Sequence, residues 1–207
     1  TPTPIQDQSI PVVLKGDDIV GIANTGTGKT AAFLIPLIDK VLKDRSQNVL
    51  IMVPTRELAI QIEEEFWGFA KGLGLASVTC VGGANISPQV RVLRRNPAFV
   101  IGTPGRLKDL MERRELDLSQ FGTLVLDEAD RMLDMGFIDD MRFIMSKMRS
   151  SRHTLFFSAT MSRDIERLIG EFLKSPVRVT VKTRETSHTI DQDVVRVEPS
   201  RKFDRLV

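Results

Sequence analysis

The sequence predicts an α/β fold of three layers, in which a mainly parallel β-sheet is flanked by helices. Short apolar runs rich in β-branched residues alternate along the chain with segments of helical periodicity, which is the pattern of βα units in a parallel sheet. Of the 207 residues, 42% are hydrophobic and 27% are charged, a composition typical of an ordinary folded domain. Collagen-like and wholly disordered chains are therefore excluded.

Seven apolar runs are predicted to form the strands, and they cover residues 18–23, 49–53, 76–81, 99–102, 123–126, 154–157 and 177–181. Between them, apolar residues recur at spacings of three and four, which indicates amphipathic helices packed on the sheet. These residues are Ala59, Ile62, Phe66, Phe69 and Leu73 in one helix, Leu107, Leu110 and Met111 in a second, and Ile165, Leu168, Ile169 and Phe172 in a third. Another helix is predicted to begin near Lys29.

Polar turns follow six of the predicted strands, at residues 24–26, 54–56, 82–83, 103–106, 127–130 and 158–160. In open α/β sheets, ligands bind outside the carboxyl ends of the strands. The six turns are therefore expected at the edge of the sheet that carries a functional site.

The composition also limits the kinds of site and location that we expect. Cys80 is the single cysteine, and His153 and His188 are the two histidines, so neither an internal disulfide nor a zinc site is expected. We find neither a signal peptide nor an apolar run long enough to span a bilayer. The sequence thus predicts a protein of a reducing compartment, the cytoplasm or, in a eukaryote, the nucleus, with no membrane partner.

Charge is unevenly distributed, although the net charge is only +2. Residues 91–114 contain seven basic and two acidic side chains, whereas residues 127–140 contain six acidic side chains and Arg131. The first segment is suited to an anion and the second to a cation, but solvated helix faces have the same composition. The motifs must decide between these interpretations.

The most specific motif is Ala23, Asn24, Thr25, Gly26, Thr27, Gly28, Lys29 and Thr30, between a predicted strand and a predicted helix. It matches the phosphate-binding P-loop except that Ala23 stands where Gly is usual. The glycines let backbone amides face phosphate oxygens, Lys29 would reach the β- and γ-phosphates, and Thr30 would offer its hydroxyl to Mg²⁺. A glycine loop with an incidental Lys-Thr pair is the alternative, which the strand-loop-helix context disfavours.

Two carboxylates, Asp127 and Glu128, directly follow the apolar run 123–126. In a P-loop site, Asp127 would hold Mg²⁺ and Glu128 would orient or deprotonate the attacking water. Two acids at a helix start are common by themselves, because carboxylates favour the first turn. Together with Lys29 and Thr30, they are better interpreted as a hydrolytic pair.

The ordered motifs resemble the first RecA-like domain of DEAD-box ATP-dependent RNA helicases. The resemblance covers nearly the whole chain and rests on residues 23–30, on PTREL at 54–58, on the glycines at 82–83, on TPGR at 103–106, on DEAD at 127–130 and on SAT at 158–160. Residues 2–6 resemble the Q motif of that family, whose glutamine recognises adenine. The resemblance therefore implies that Gln6 selects ATP or ADP.

The resemblance also implies roles in RNA binding and coupling. Contacts with the RNA sugar-phosphate backbone are implied for Pro54, Thr55, Arg56, Gly83, Thr103, Pro104, Gly105 and Arg106. Ser158 and Thr160 are implied to form hydrogen bonds toward Asp130 and to link the nucleotide site to strand separation. Judged alone, Thr55 is better explained as a helix N-cap and Gly105 as a tight turn, and only the ordered set of motifs favours RNA contact. With no Tyr in the chain, we expect backbone recognition with little sequence specificity.

We predict that residues 1–182 form the nucleotide-binding domain, and that 183–207 are a linker and the start of a second RecA-like domain. The resemblance places in that second domain the arginines that complete the ATP site. The isolated chain is therefore expected to be a nearly inactive monomer. Two alternatives remain open: a DNA-directed P-loop helicase, and a non-enzymatic RNA-binding module gated by nucleotide.

Overall fold

A computed structural model describes residues 1–181, and the predicted linker at 183–207 lies outside the described residues. All seven predicted strands are present. They are β1 (Ile19–Ile22), β2 (Val49–Met52), β3 (Ser77–Cys80), β4 (Phe99–Gly102), β5 (Thr123–Leu126), β6 (His153–Ser158) and β7 (Val177–Thr180). Each end differs from the predicted one by at most one residue.

The strands form one sheet in the order β3-β4-β2-β5-β6-β1-β7, and every pair of neighbours is parallel. The carboxyl ends of all the strands therefore meet at one edge. The α/β fold with a parallel sheet is confirmed.

Eight helices occur within residues 1–181: α1 (Pro4–Lys15), α2 (Lys29–Lys43), α3 (Arg56–Ala70), α4 (Ile86–Leu93), α5 (Pro104–Glu112), α6 (Ala129–Asp134), α7 (Ile138–Ser146) and α8 (Arg163–Phe172). Two hydrophobic cores flank the sheet, because alternate strand residues point to opposite faces. In β2, Val49 and Ile51 pack with α1, α2 and α3, whereas Leu50 and Met52 pack with α4 to α8. No helix within the described residues is long and apolar enough to cross a membrane.

The predicted helix around residues 59–73 is shorter than its apolar pattern indicated. Helix α3 ends at Ala70, and Phe69 is 41% exposed rather than packed. Gly72 and Gly74 follow with positive φ values of 78° and 63°, a conformation that stops a helix and that glycine adopts without strain. Leu73 therefore lies in the turn that leads to β3.

Candidate functional site

The carboxyl edge of the sheet contains a cleft of about 510 Å³. Eight of the predicted site residues line it: Gln6, Thr25, Gly26, Gly28, Lys29, Thr30, Asp127 and Glu128. Thr55 also lines this cleft, although the resemblance assigned it to RNA. The structure thus brings together residues of three distant motifs, whereas Ala23, Asn24 and Thr27, which were also predicted to bind nucleotide, are not among those that line the cleft.

The loop between β1 and α2 leaves the first amides of α2 uncapped. Gly28 occupies the N-cap position with φ 90° and makes no side-chain cap. A Cβ atom at Gly28 would overlap the amide nitrogen of Gln6, so both the backbone angle and the close approach require glycine here. Uncapped amides and the helix dipole together make this end of α2 suited to phosphate.

Lys29 is held against its own loop. Its side chain donates a hydrogen bond from Nζ to the carbonyl oxygen of Ala23 at 2.7 Å, and the residue is only 7% exposed. Lys29 is the charge that most stabilises the ionised form of Asp127. A bound phosphate would therefore compete with a carbonyl oxygen and a carboxylate for this ammonium group.

Asp127 is nearly inaccessible to solvent, at 3% exposure, and it accepts a hydrogen bond from the Glu128 amide at 3.0 Å. Burial raises the pKa of Asp127 from 3.8 to about 6, against the opposing effect of Lys29. Because Lys29 does not fully offset the cost of burying this negative charge, a cation bound next to the carboxylate would be favourable. Thr30 lines the same cleft and offers a hydroxyl.

This donor set fits Mg²⁺, which usually takes one or two protein ligands and keeps water and phosphate for the rest. Within the described residues, no group of three or more His, Cys, Asp or Glu side chains forms a complete metal cage. Such a cage is not needed at a site where nucleotide phosphates complete the coordination of the metal.

Glu128 adopts a strained backbone conformation. Its φ of 52° is in the left-handed region, which is uncommon for a residue with a side chain. Its carboxylate lies 3.3 Å from the Arg131 guanidinium and lines the cleft. Strain of this kind is concentrated at functional positions, which supports a specific role for this carboxylate.

Gln6 joins helix α1 to the loop between β1 and α2. Its Oε1 accepts from the Thr3 amide at 3.0 Å, and its Nε2 donates to the Gly28 carbonyl at 3.1 Å. A glutamine amide has two N–H groups and two lone pairs, so one donor and one acceptor remain for a ligand. This is the complement that adenine requires.

The turns after β2 and β4 each begin a helix at the same edge. Thr55 accepts from the Leu58 amide at 3.3 Å, so it is the N-cap of α3. Thr103 is the N-cap of α5, with Pro104 in the first turn and no side-chain cap bond. The first amides of a helix have no intrahelical partner, so these turns present donors suited to phosphate.

The other predicted RNA residues lie beside these turns. Pro54 is buried at the end of β2, Gly105 is exposed, and Arg56 extends to Gly83 in the turn after β3. Arg106 differs from the expectation for a surface arginine, because its side chain is only 11% exposed and is bonded to Gln89 and the Ala84 carbonyl.

The implied link between Asp130 and residues 158–160 is present, with one correction. Asp130 Oδ2 accepts from the amides of Ala159 and Thr160 at 3.1 and 2.9 Å, and from Thr160 Oγ1 at 3.0 Å. Ser158, which was expected to bond toward Asp130, donates instead to the carbonyl oxygen of Thr160 at 2.9 Å. As the last residue of the buried strand β6, Ser158 is fully enclosed and shapes the turn that Asp130 holds.

Several residues of the cleft were not among the predicted site residues. Glu57, Gln61 and Glu65 line it from α3, and Arg131 lines it from α6. The signal available in the sequence was the spacing of four between the three polar residues of α3, which places them on one face of a helix.

The parallel sheet and the loop between β1 and α2 define an α/β domain of the P-loop, RecA-like class. The family model for DEAD/DEAH box helicases matches residues 3–168. The chain belongs to this family.

Individual relatives agree with this assignment. The chain is 43% identical over 206 residues to the DEAD-box ATP-dependent RNA helicase CshA of Streptococcus pneumoniae, covering 99% of this chain and 39% of that protein. A DEAD box protein from Methanococcus jannaschii superposes with a TM-score of 0.84 at 38% identity, covering 99% of this chain and 56% of that one. A hypothetical ATP-dependent RNA helicase from Sulfolobus tokodaii gives 0.81 at 34% identity, with 87% and 53% covered. The chain thus spans about two fifths to just over half the length of these relatives.

Proposed function

We propose that this chain is the nucleotide-binding domain of an ATP-dependent RNA helicase. The observation that carries the proposal is a single sheet edge with an uncapped helix start at Lys29, a buried Asp127 and further helix starts after β2 and β4. Phosphate of a nucleotide and phosphate of a nucleic acid are the ligands that such an edge favours. The relatives named above, which are called RNA helicases or DEAD box proteins, support the same assignment.

In the nucleotide site, residues 25–30 hold the phosphates, with Asn24 and Thr27 shaping the loop. Thr27 Oγ1 donates to the Asn24 carbonyl at 2.8 Å. Thr30 and Asp127 would hold Mg²⁺, which when bound would neutralise charge on the phosphate oxygens. Glu128 orients a water against the γ-phosphate and accepts its proton.

In the RNA site, the first amides of α3 and α5 and the amides near Gly83 bind the sugar-phosphate backbone. Arg56, exposed at the start of α3, adds a positive charge. Contacts of this kind position a nucleic acid without reading its bases. Asp130 and Thr160 link the nucleotide site to strand separation, because their hydrogen bond ties the turn after β5, which carries Asp127 and Glu128, to the turn after β6.

We infer that hydrolysis and unwinding require a second RecA-like domain that supplies an arginine to the γ-phosphate. Such an arginine contributes about 10³ to 10⁵ in rate. The isolated chain should therefore bind nucleotide but release phosphate only very slowly. A longer version that includes the second domain should show RNA-stimulated hydrolysis, since covalent linkage raises the effective concentration of each half.

The first test is calorimetric titration of the chain with ADP and Mg²⁺. Lys29→Ala should abolish most of the affinity, whereas Lys43→Ala, at the exposed far end of the same helix, should leave it unchanged. Equal affinity in the Lys29 and Lys43 variants would refute the nucleotide site.

The second test separates the alternatives. Phosphate release by the longer version, measured with RNA and with DNA of matched sequence, should be stimulated by RNA. Stimulation by DNA alone would favour a DNA-directed helicase. No hydrolysis in the presence of the second domain would favour a binding module, and strong RNA-stimulated turnover by the 207-residue chain would refute the composite site.

A further inference from the structure

Two side chains, those of Gln89 and Arg106, form hydrogen bonds to the carbonyl groups of the loop between β3 and α4. Gln89, which is 7% exposed, donates to the carbonyl oxygens of Val81 at 3.2 Å and Asn85 at 3.3 Å. Arg106, from the first turn of α5, donates to Gln89 Oε1 at 2.9 Å and to the Ala84 carbonyl at 3.2 Å. Three carbonyl groups of the loop are thereby satisfied, and the loop is tied to the start of the next helix.

The amides of the same loop are left available. The N–H groups of Gly82 and Gly83 donate to no acceptor in residues 1–181, where the structure describes the chain. Gly83 has φ 69°, and a Cβ atom there would lie 2.5 Å from Arg56 Nη1. Consecutive free amides next to a residue in the left-handed region form a concave site for an anion. The loop therefore has donors for a phosphate and a backbone that only glycine adopts easily.

The Arg106 side chain is poorly placed to be a phosphate ligand itself. It is 11% exposed, it makes two hydrogen bonds to Gln89 and Ala84, and its Nε lies 3.8 Å from Asp109. A carboxylate and two fixed acceptors compete with any phosphate for this guanidinium group. Its geometry is that of a connection between two turns.

We propose that Gln89 and Arg106 form a bracket that fixes the spacing between the free amides of Gly82 and Gly83 and those at the start of α5. The two turns then bind neighbouring phosphates of one RNA strand. This proposal rests on the proposed RNA function and changes the role of Arg106 within it. Both bracket residues are positioning residues, and the backbone amides are the ligands.

The bracket predicts that damage to either half has the same effect. Gln89→Leu keeps the side-chain volume and removes its polar atoms, and Arg106→Gln removes the guanidinium. Each should weaken RNA binding about tenfold, the range expected for losing a buried hydrogen-bonded connection. The loss in the double variant should be smaller than the sum of the two single losses, because both single variants remove the hydrogen bond between Arg106 and Gln89. Gln89→Glu keeps the acceptor for Arg106 and should bind with intermediate affinity.

The test is fluorescence anisotropy of the 207-residue chain with labelled oligouridine RNA, titrated at several KCl concentrations. Arg94→Gln is the matched control, since Arg94 is an exposed arginine at the far end of α4 and is paired with Glu115. Thermal melting establishes that each variant is folded. The salt dependence distinguishes the two roles of Arg106, because loss of a direct phosphate contact lowers the slope of log K against log salt by about one. The bracket predicts an unchanged slope in Arg106→Gln.

Two results would overturn the bracket. One is a reduced salt slope in Arg106→Gln together with wild-type RNA affinity in Gln89→Leu. The other is a loss of RNA affinity in the double variant equal to the sum of the two single losses. A second measurement is independent of RNA. In NMR spectra, Gln89→Leu should shift the amides of Gly82, Gly83 and Gly105 but not that of Lys29, and unshifted glycine amides would also overturn the bracket. Failure of the unsubstituted chain to bind RNA would count against the proposed function, while the amide shifts still decide on the bracket.

Discussion

The buried carboxyl group of Asp127 should make the domain less stable than a neutral side chain would. Asp127 is 3% exposed, and burial raises its pKa from 3.8 to about 6 even though Lys29 favours the ionised form. Asp127→Asn keeps the size and the acceptor for the Glu128 amide while removing the charge. We therefore expect this variant to have a higher free energy of unfolding at neutral pH.

The size and the sign follow from proton linkage. From about pH 4 to pH 6, the folded protein keeps a proton on Asp127 that the unfolded chain has released, so the wild-type free energy of unfolding falls as pH rises. A pKa difference of about two units, at about 1.4 kcal/mol for each, corresponds to about 3 kcal/mol. Below about pH 4 Asp127 carries its proton in both states, and the stability that this proton contributes is fully present. Above about pH 6 that contribution to the free energy of unfolding is lost.

The assay is urea unfolding of both proteins, without nucleotide or Mg²⁺, at intervals from about pH 4 to pH 8. The free energy of unfolding of Asp127→Asn, minus that of the wild type, should increase by about 3 kcal/mol between about pH 4 and pH 6 and then remain constant. Asp134→Asn, an exposed carboxylate in α6, should show no such change. A difference that is independent of pH, or that narrows as pH rises, would refute the reasoning. The same variant should lose Mg²⁺-dependent nucleotide binding, so stability and function should change in opposite directions.

Three further outcomes are expected. Gly28→Ala should lower the free energy of unfolding by about 1–3 kcal/mol and weaken ADP binding, because its φ is 90° and its Cβ would overlap Gln6; urea unfolding and calorimetry check this. Gln6→Ala should reduce the preference for ADP over GDP in competition binding, and an unchanged ratio would contradict the adenine assignment. In the longer version, Thr160→Ala should impair duplex release more than ATP hydrolysis, because it removes one of the bonds to Asp130; equal losses would place the turn in the hydrolytic site.

Sequence patterns predicted the sheet well because most of its strands are buried on both faces; the edge strand β7, with three exposed residues of four, is the exception. A strand such as β2, with four buried residues and no polar ones, is recognisable without knowledge of its neighbours. The strand-loop-helix arrangement around residues 23–30 was equally recognisable, since its glycines and Lys29 stand between an apolar strand and a helix; that it binds nucleotide stays a prediction. Each of these features depends on local sequence.

Features that depend on tertiary contacts were not predicted. Helices α1 and α4 contain Pro11 and Pro88, which obscure a helical pattern although both segments are helical. The role of Gln89 was invisible because its partners Val81 and Arg106 lie in other elements. Ser158 was assigned a bond to Asp130 by resemblance, but its burial at the end of β6 directs its hydroxyl to the Thr160 carbonyl.

The order of strands in the sheet divides its carboxyl edge into two regions, each formed by three neighbouring strands. The strands β1, β6 and β5 are neighbours and end in the loop proposed for nucleotide, the turn at 158–160 and Asp127. The strands β2, β4 and β3 are neighbours and end in the turns proposed for RNA. The second group is one uninterrupted stretch of chain, residues 49–112, placed between the two pieces that build the first. The two groups meet where β5 pairs with β2, and there the Asp127 amide donates to the Met52 carbonyl at 3.1 Å. A chimera between two relatives that exchanges this stretch as a block would therefore move all the turns proposed for RNA together, while β1, β5 and β6 keep their own sequence and only the α3 side of the nucleotide cleft changes.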